Sequence, residues 1–252
     1  MRILFTICGR AGSKGIRNKN LRVFCGRYLA HYPVAAIDLY LKDHPEVEAD
    51  IAVNSDSPEL LDLVADNGMR SVEKLVRKEH LSGDTVGKIL VIRDCLERMK
   101  EIRQCGYDMV VDLDITSPLR KCKDLARVIE TQERTKADVT TTVTTARRNP
   151  YFNQVLRTDR GVKKVIESDF TARQQAPEIF DMNASIYAYK PAYLYSGRGV
   201  LDGYCEIVEM EDTGVLDLDH EQDIELMEVI GAYLFEKDPG YGEIRERIPV
   251  SG

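Results

Sequence analysis

Ile3-Leu4-Phe5-Thr6-Ile7-Cys8-Gly9-Arg10-Ala11-Gly12-Ser13-Lys14-Gly15-Ile16-Arg17-Asn18-Lys19-Asn20 joins an apolar run to a loop rich in glycine and positive charge. Ile3 to Ile7 has the length and composition of a buried strand. Between Arg10 and Arg22 there are five basic side chains and no acidic one. The chain carries a net charge of -7, of which this segment contributes +5, so the remainder carries -12. A cationic glycine loop ending the first strand of an acidic protein suits a polyanion such as a nucleoside triphosphate. Its glycines let backbone N–H groups approach phosphate oxygens, and Lys and Arg supply charge. Glycines at 9, 12 and 15 match neither G-x-G-x-x-G nor G-x-x-x-x-G-K-[ST]. Taken alone, the loop also reads as a solvated surface turn.

Outward from the first strand, strand-like and helical runs alternate. A helical stretch around Leu29 to Leu41 precedes a strand at Asp50 to Asn54, a short helix at Glu59 to Asn67 and a strand near Ser71 to Leu75. Ile89, Ile92, Leu96 and Met99 recur at helical spacing within a helix expected over Thr85 to Gln104. Tyr107 to Asp112 reads as a strongly apolar strand, Asp124 to Lys136 as a helix and Asp138 to Thr144 as another strand. This rhythm predicts an α/β fold, a mostly parallel sheet flanked by helices with ligands at the carboxyl ends of its strands. It breaks at about 147–178, a polar region with a strand-like piece at Tyr151 to Leu156, which reads as an extension and a plausible dimerisation arm. Asn183 to Tyr189 resumes as a strand, and His220 to Phe235 as an amphipathic helix.

The 252 residues, 43% apolar and 31% charged, fit a single large α/β domain spanning 1–252. The acidic balance argues against nucleic acid as a partner. No apolar span approaches the ~18 residues of a membrane helix and no leader is evident, so a cytoplasmic protein without membrane association is expected. Six cysteines at 8, 25, 95, 105, 122 and 205 form no C-x-x-C pair and read as reduced thiols. His31, His44, His80 and His220 share no spacing, and ordinary core or surface roles are expected for them.

Two Asp-x-Asp pairs, Asp112-Leu113-Asp114 and Asp217-Leu218-Asp219, remain. In an extended chain each pair directs two carboxylates to one side and its leucine to the other. A bound Mg²⁺ would relieve the repulsion between them. The bland reading is that such residues end strands and cap helices, and Asp219 stands just before the helix at His220.

Several segments together resemble the acylneuraminate cytidylyltransferases, the CMP-sialic acid synthetases. The family's R-x-G-S-K-G and K-N motifs are matched by Arg10, Gly12, Ser13, Lys14, Gly15, Lys19 and Asn20. Its T-S-P-L-R segment is matched by Thr116-Ser117-Pro118-Leu119-Arg120. R-Q-x-x-P and N-G-A-I-Y resemble Arg173-Gln174-Gln175-Ala176-Pro177 and Asn183-Ala184-Ser185-Ile186-Tyr187, and D-I-D resembles Asp217-Leu218-Asp219. The matches follow the family's order across nearly the whole chain.

The resemblance implies a Rossmann-like nucleotidyltransferase domain that acts as a homodimer. It further implies transfer of CMP from CTP to a nine-carbon 2-keto sugar acid, release of pyrophosphate and a need for Mg²⁺. It assigns catalysis to Arg10, Lys14 and Lys19, and nucleotide binding to Arg10, Gly12, Ser13, Lys14, Asn20 and Arg77. It assigns the sugar to Asp114, Thr116, Ser117, Arg120, Arg173, Gln174 and Asn183, and the metal to Asp217 and Asp219. A turn that organises the loop is an equal reading of Ser117, Pro118 and Arg120.

Two positions depart from the family. Asp114 stands where it has Gln, and Ala184 where it has Gly. An ionised Asp114 accepts but does not donate, and it would repel a substrate carboxylate unless a donor or metal intervened. It suits a sugar with extra N–H or O–H donors, such as a diacetamido relative of sialic acid (legionaminic or pseudaminic acid). A metal-dependent glycosyltransferase and a non-catalytic nucleotide-binding protein are the competing readings.

Overall fold

The computed structural model describes residues 1–12, 16, 18–83, 85–213, 218 and 220–250, and for Arg173 the backbone alone. β1 (Arg2–Cys8) is followed by a small hairpin, β2 (Val23–Phe24) and β3 (Arg27–Tyr28), and by α1 (His31–Asp43). β4 (Glu48–Ser55), α2 (Pro58–Ala65), β5 (Glu73–Val76), α3 (Lys88–Arg103) and β6 (Met109–Leu113) continue the alternation. α4 (Cys122–Thr135) and β7 (Val139–Thr145) precede a second hairpin, β8 (Val155–Thr158) and β9 (Gly161–Lys164). β10 (Phe180–Tyr189), β11 (Cys205–Glu209), α5 (Glu221–Lys237) and α6 (Pro239–Arg247) complete the order.

The main sheet runs β11-β7-β10-β6-β1-β4-β5. β1 is parallel to β4 and β6, β4 to β5, and β11 to β7, while β10 alone runs antiparallel between β6 and β7. The sheet is thus mostly parallel and flanked by helices, as the alternation predicts. Both of its faces are covered. Ile3, Phe5 and Ile7 of β1 pack with α1, α2, α4 and α6, while Leu4 faces Ile92, Cys95, Leu96 and Met99 of α3. Each of these fully buried side chains contributes about 1.5–3 kcal/mol of transfer free energy.

Local chemistry explains the boundaries. Ser57 caps α2 by accepting from the Leu60 N–H at 3.1 Å, with Pro58 at the first helical position. At α5 the capping position is His220, whose N–H donates to Asp223 Oδ2 at 2.7 Å, and Asp219 lies outside the described residues. The strand-like piece at Tyr151 to Leu156 shifts to β8 because the N–H groups of Phe152, Asn153 and Gln154 all turn back to the Asn149 carbonyl. β2, β3, β9, β11 and α6 have no counterpart among the expected elements. The first two hold two residues each, and α6 opens on Pro-Gly-Tyr-Gly, which masks its period. Its usable signal is Asp238-Pro239: Asp238 Oδ1 accepts from the Gly240 N–H at 2.9 Å.

From β1 the chain works outward through β4 to β5, then crosses by α3 to β6 on the other side of β1. The strand order therefore reverses between β1 and β6. A crevice outside the carboxyl ends of two such strands is where open α/β sheets bind ligands. The glycine-rich loop leaves one of those ends and Asp112-Leu113-Asp114 the other.

Candidate active site

The β1 loop is held by close approach and by short polar contacts. Gly9 donates to the Asn54 carbonyl at 3.1 Å, and a Cβ there would lie 2.6 Å from Leu60 Cδ2 and 2.9 Å from Ile115 Cδ1. Gly9 is therefore required by packing, whereas open space surrounds Gly12. The Ala11 N–H donates to Asp56 Oδ1 at 2.7 Å, and Asn20 Nδ2 donates to the Arg10 carbonyl at 3.1 Å. Arg10, half-buried, lines a small recess with Asn20, Ser57 and Leu60. Ser13 and Lys14 lie outside the described residues.

Lys19 opens a short helical turn, and its Nζ donates to the Leu218 carbonyl at 2.8 Å. Leu218 is buried in the main core. Asp217 and Asp219, on either side of it, lie outside the described residues. The C-terminal helices reach the first loop because α5 packs on the β2–β3 hairpin. Glu228 accepts from the Cys25 N–H at 2.9 Å, Gly231 admits the Phe24 ring, and Arg22 pairs with Glu221 at 2.7 Å.

Arg77 follows β5. Its Nε donates to Asn54 Oδ1 at 2.7 Å and its Nη2 to the Asn54 carbonyl at 3.0 Å, so the guanidinium is anchored at the carboxyl end of β4. Arg77 and the β1 loop therefore share Asn54 as a support.

The other half of the crevice lies over β6 and β10. Asp112 and Asp114 do face one way, with Leu113 buried between them, and the cation between them is a lysine ammonium. Lys88 Nζ stands 2.7 Å from Asp112 Oδ2 and 2.7 Å from Asp114 Oδ2. Asp112 is fully buried and also accepts from Thr6 Oγ1 at 2.7 Å. Asp114 Oδ1 accepts from the Thr116 N–H at 2.8 Å and the Thr116 hydroxyl at 2.7 Å. Burial alone would depress Lys88, but Asp112 and then Asp114 outweigh it and hold the ammonium well above its ordinary value. Burial pulls Asp114 up, yet Lys88 and Thr116 prevail and bring its carboxyl down to about 2. Both groups are therefore charged at neutral pH. Lys88 was not among the residues expected from the sequence. Its one signal is a cation in the first turn of a helix, where the macrodipole disfavours it.

Arg120 lies beneath this cluster, fully buried, with Nε donating to the Ser117 carbonyl at 2.9 Å and Nη2 to the Asp114 and Ser117 carbonyls. Burial lowers it to about 10, against the pull of Asp114 and Asp112. Its geometry is that of a residue organising the 114–117 turn. The Ser117 contacts described are those carbonyl bonds to Arg120.

Asn183 sits in a bulge of β10, where the register against β7 shifts between Met182 and Tyr187. Its Oδ1 accepts from Thr142 Oγ1 at 2.6 Å and from the Ser185 N–H at 3.3 Å. Ala184 takes φ +51°, the left-handed region that glycine adopts without strain, and the Ser185 carbonyl then accepts from the Asp114 N–H at 3.1 Å. On the extension, Arg173 and Gln174 fall in a short helical turn, Gln174 exposed. Among the described residues no hydrogen bond links Gln174 to the β1 loop or to Asp114.

All six cysteines are free thiols. Among the described residues no cluster of three or more metal-binding side chains occurs, and no helix is long and apolar enough to cross a membrane.

Comparison with known proteins extends this geometry. A family model described as cytidylyltransferase matches residues 4–237. The chain is 36% identical over 229 residues to post-translational flagellin modification protein B of Campylobacter coli, covering 90% of this chain and 94% of that protein. It is 33% identical over 228 residues to CMP-N,N'-diacetyllegionaminic acid synthase of Campylobacter jejuni, with the same coverage of 90% and 94%. The solved structure of CMP:2-keto-3-deoxy-manno-octonic acid synthetase complexed with CTP shares the fold, with a TM-score of 0.61 at 16% identity over 92% of this chain and 99% of that one. With the family's sequence pattern running through nearly its whole length, the chain belongs to the cytidylyltransferase family.

Proposed function

We propose that the protein transfers CMP from CTP to the anomeric hydroxyl of a nine-carbon 2-keto sugar acid, a diacetamido relative of sialic acid, and releases pyrophosphate. The observation that carries this reading is the bond from Lys19 to the Leu218 carbonyl. It joins the loop that follows β1 to Leu218, the residue that stands between Asp217 and Asp219 in the sequence. The relative named as a diacetyllegionaminic acid synthase and the acceptor carboxylate at Asp114 favour that class of sugar.

Arg10, Lys14 and Lys19 offset the charge of the triphosphate and of the departing pyrophosphate, an electrostatic and positioning role that needs no covalent intermediate. Gly12, Ser13, Asn20 and Arg77 take the rest of the nucleotide. The acceptor lies over β6 and β10, against Asp114, Thr116 and Asn183, with Ser117 and Arg120 shaping the turn beneath it. Asp217 and Asp219 offer the hard carboxylate oxygens that suit Mg²⁺, which when bound neutralises phosphate charge. Lys88 stays protonated at neutral pH and so has no lone pair to act as general base, while Asp114, held down at about 2, is a carboxylate of low basicity.

The 147–178 extension, which leaves β7 and re-enters at β10 on the same side as the crevice, is the proposed dimerisation arm. Its hairpin leaves Val155 61% and Val162 66% exposed, apolar surface that a partner copy would cover. Arg173 and Gln174 would then serve a sugar site completed across the dimer.

The test is pyrophosphate release from CTP, with and without Mg²⁺, over sialic, legionaminic and pseudaminic acids. Release is expected with a diacetamido acid and lost on chelation. Absence of release with every acid would overturn the reading.

A further inference from the structure

Lys88 breaks a local rule. It places a cation in the first turn of α3, where no acidic residue accompanies it and the helix dipole opposes it. The cost is offset by two carboxylates at 2.7 Å each. The same helix start reaches over the end of β6, the strand beside the reversal of strand order. Departures of this kind, where local preference yields to a built charge cluster, are expected at functional sites.

Counting hydrogen-bond capacity shows what the cluster leaves open. An ionised carboxylate has about four acceptor positions. Asp114 spends two at Oδ1 on Thr116 and one at Oδ2 on Lys88. The side chain is 23% exposed, so one acceptor position remains toward the crevice. Lys88 donates one N–H to Asp114 Oδ2 and holds Asp112 Oδ2 as an ion pair at 2.7 Å, and it is 33% exposed. Among the described residues, the pair thus offers one acceptor and one donor side by side. With Arg120 beneath, the two cations Lys88 and Arg120 offset the charge of the two carboxylates Asp112 and Asp114 among the described residues.

We propose that Lys88 is a positioning residue for the acceptor half of the site: its ammonium, clamped between Asp112 and Asp114, fixes Asp114 as an acceptor for an N–H or O–H of the sugar's substituents and cancels the repulsion of the sugar's carboxylate. The proposal rests on the cytidylyl-transfer reading and names the chemistry of the sugar it selects, one rich in acylamino N–H donors. The phosphates belong to the β1 loop on the opposite side of the crevice. Loss of Lys88 therefore acts on the sugar and spares CTP.

The experiment measures pyrophosphate release for the wild-type protein, Lys88→Met, Lys88→Arg and the charge-balanced pair Lys88→Met/Asp112→Asn. Each is assayed with a diacetamido and a monoacetamido 2-keto sugar acid at varied CTP. Thermal unfolding identifies the folded variants, and the double variant removes the uncompensated buried charge that Lys88→Met leaves on Asp112. The expected result is a rise of about tenfold or more in KM for the diacetamido sugar, the loss of one charge-assisted hydrogen bond, with KM for CTP unchanged. Lys88→Arg, which keeps the charge, should recover part of that loss. A folded double variant with an unchanged KM for the sugar, or with both KM values raised alike, overturns the Lys88 assignment alone. A wild-type protein that releases no pyrophosphate with any sugar acid overturns the functional reading and this assignment together.

Discussion

The ammonium of Lys19 donates to the backbone carbonyl of Leu218 at 2.8 Å, across 199 positions of sequence. Leu218 is buried and the side-chain donor is charged, so the contact is a partly desolvated, charge-assisted bond. It fixes Leu218 against the loop that follows β1.

Removing this donor should be felt in stability and in turnover. A hydrogen bond from a charged group contributes about 1.5–3 kcal/mol. Lys19→Met should lower the melting temperature by about 3–12 °C, at ~2–4 °C per kcal/mol for a chain of this size. Pyrophosphate release should fall more than tenfold. Calorimetry and the release assay on one preparation check both, and wild-type values for either would contradict the role given to Lys19.

Lys14 is expected to act on the triphosphate and not on the fold. Lys14→Ala should reduce turnover by about two orders of magnitude or more, in the range of removing one electrostatic donor to a transition state. Its thermal transition should match the wild type. Normal turnover would remove Lys14 from the phosphate site.

Gly9 tests the packing beneath the loop. Its Cβ would fall 2.6 Å from Leu60 Cδ2, 2.9 Å from Ile115 Cδ1 and 3.0 Å from Asn20 Nδ2. Gly9→Ala should destabilise by about 1–3 kcal/mol, the cost of overpacking. It should also displace Asn20 from the Arg10 carbonyl. Urea unfolding measures the first effect and KM for CTP, expected to rise, the second.

Ala184 holds φ +51° in the bulge of β10. A left-handed L-residue costs about 1–2 kcal/mol, part of which glycine returns through its freer unfolded chain. Ala184→Gly should therefore stabilise by about 0.5–1 kcal/mol, read as a higher urea midpoint with unchanged slope. A lower midpoint would show that the methyl group contributes packing that outweighs the strain.

Asp114 gives a pH signature. Its folded carboxyl is held at about 2, below the ordinary value of about 3.9. A lowered carboxyl contributes stability that is complete above the unfolded value and is lost as pH falls through the folded one. The unfolding free-energy difference between wild type and Asp114→Asn should be constant above pH ~5 and shrink steadily toward pH ~2. Equilibrium urea titrations across that range check it, and a difference that shrinks only above pH ~5 would contradict the assignment.

Much of this arrangement was legible along the chain. Ile3 to Ile7 reads as a buried strand, and the alternation through Val139 to Thr145 implies a mostly parallel sheet. Asp112-Leu113-Asp114 had to turn both carboxylates one way. The elements that escaped are those whose stability comes from neighbours. β2 and β3 hold two residues each and are covered by α5, while β11 is an edge strand whose pairing with β7 defines it. The substitution of Gln by Asp at 114 raised the question of a compensating cation, but no local pattern could name it.

By itself the sequence determined the layers, the cationic loop and the facing carboxylates, because periods of 2 and 3.6 residues and the charge of side chains are properties of short segments. Only the tertiary structure decided that the cation between Asp112 and Asp114 is Lys88. The same holds for Arg120 lying buried under the 114–117 turn instead of on its surface, and for Lys19 closing on Leu218. Each of those outcomes depends on where a crossover helix or a returning terminus comes to rest, and that is set by burial of the whole core and by no neighbour in sequence.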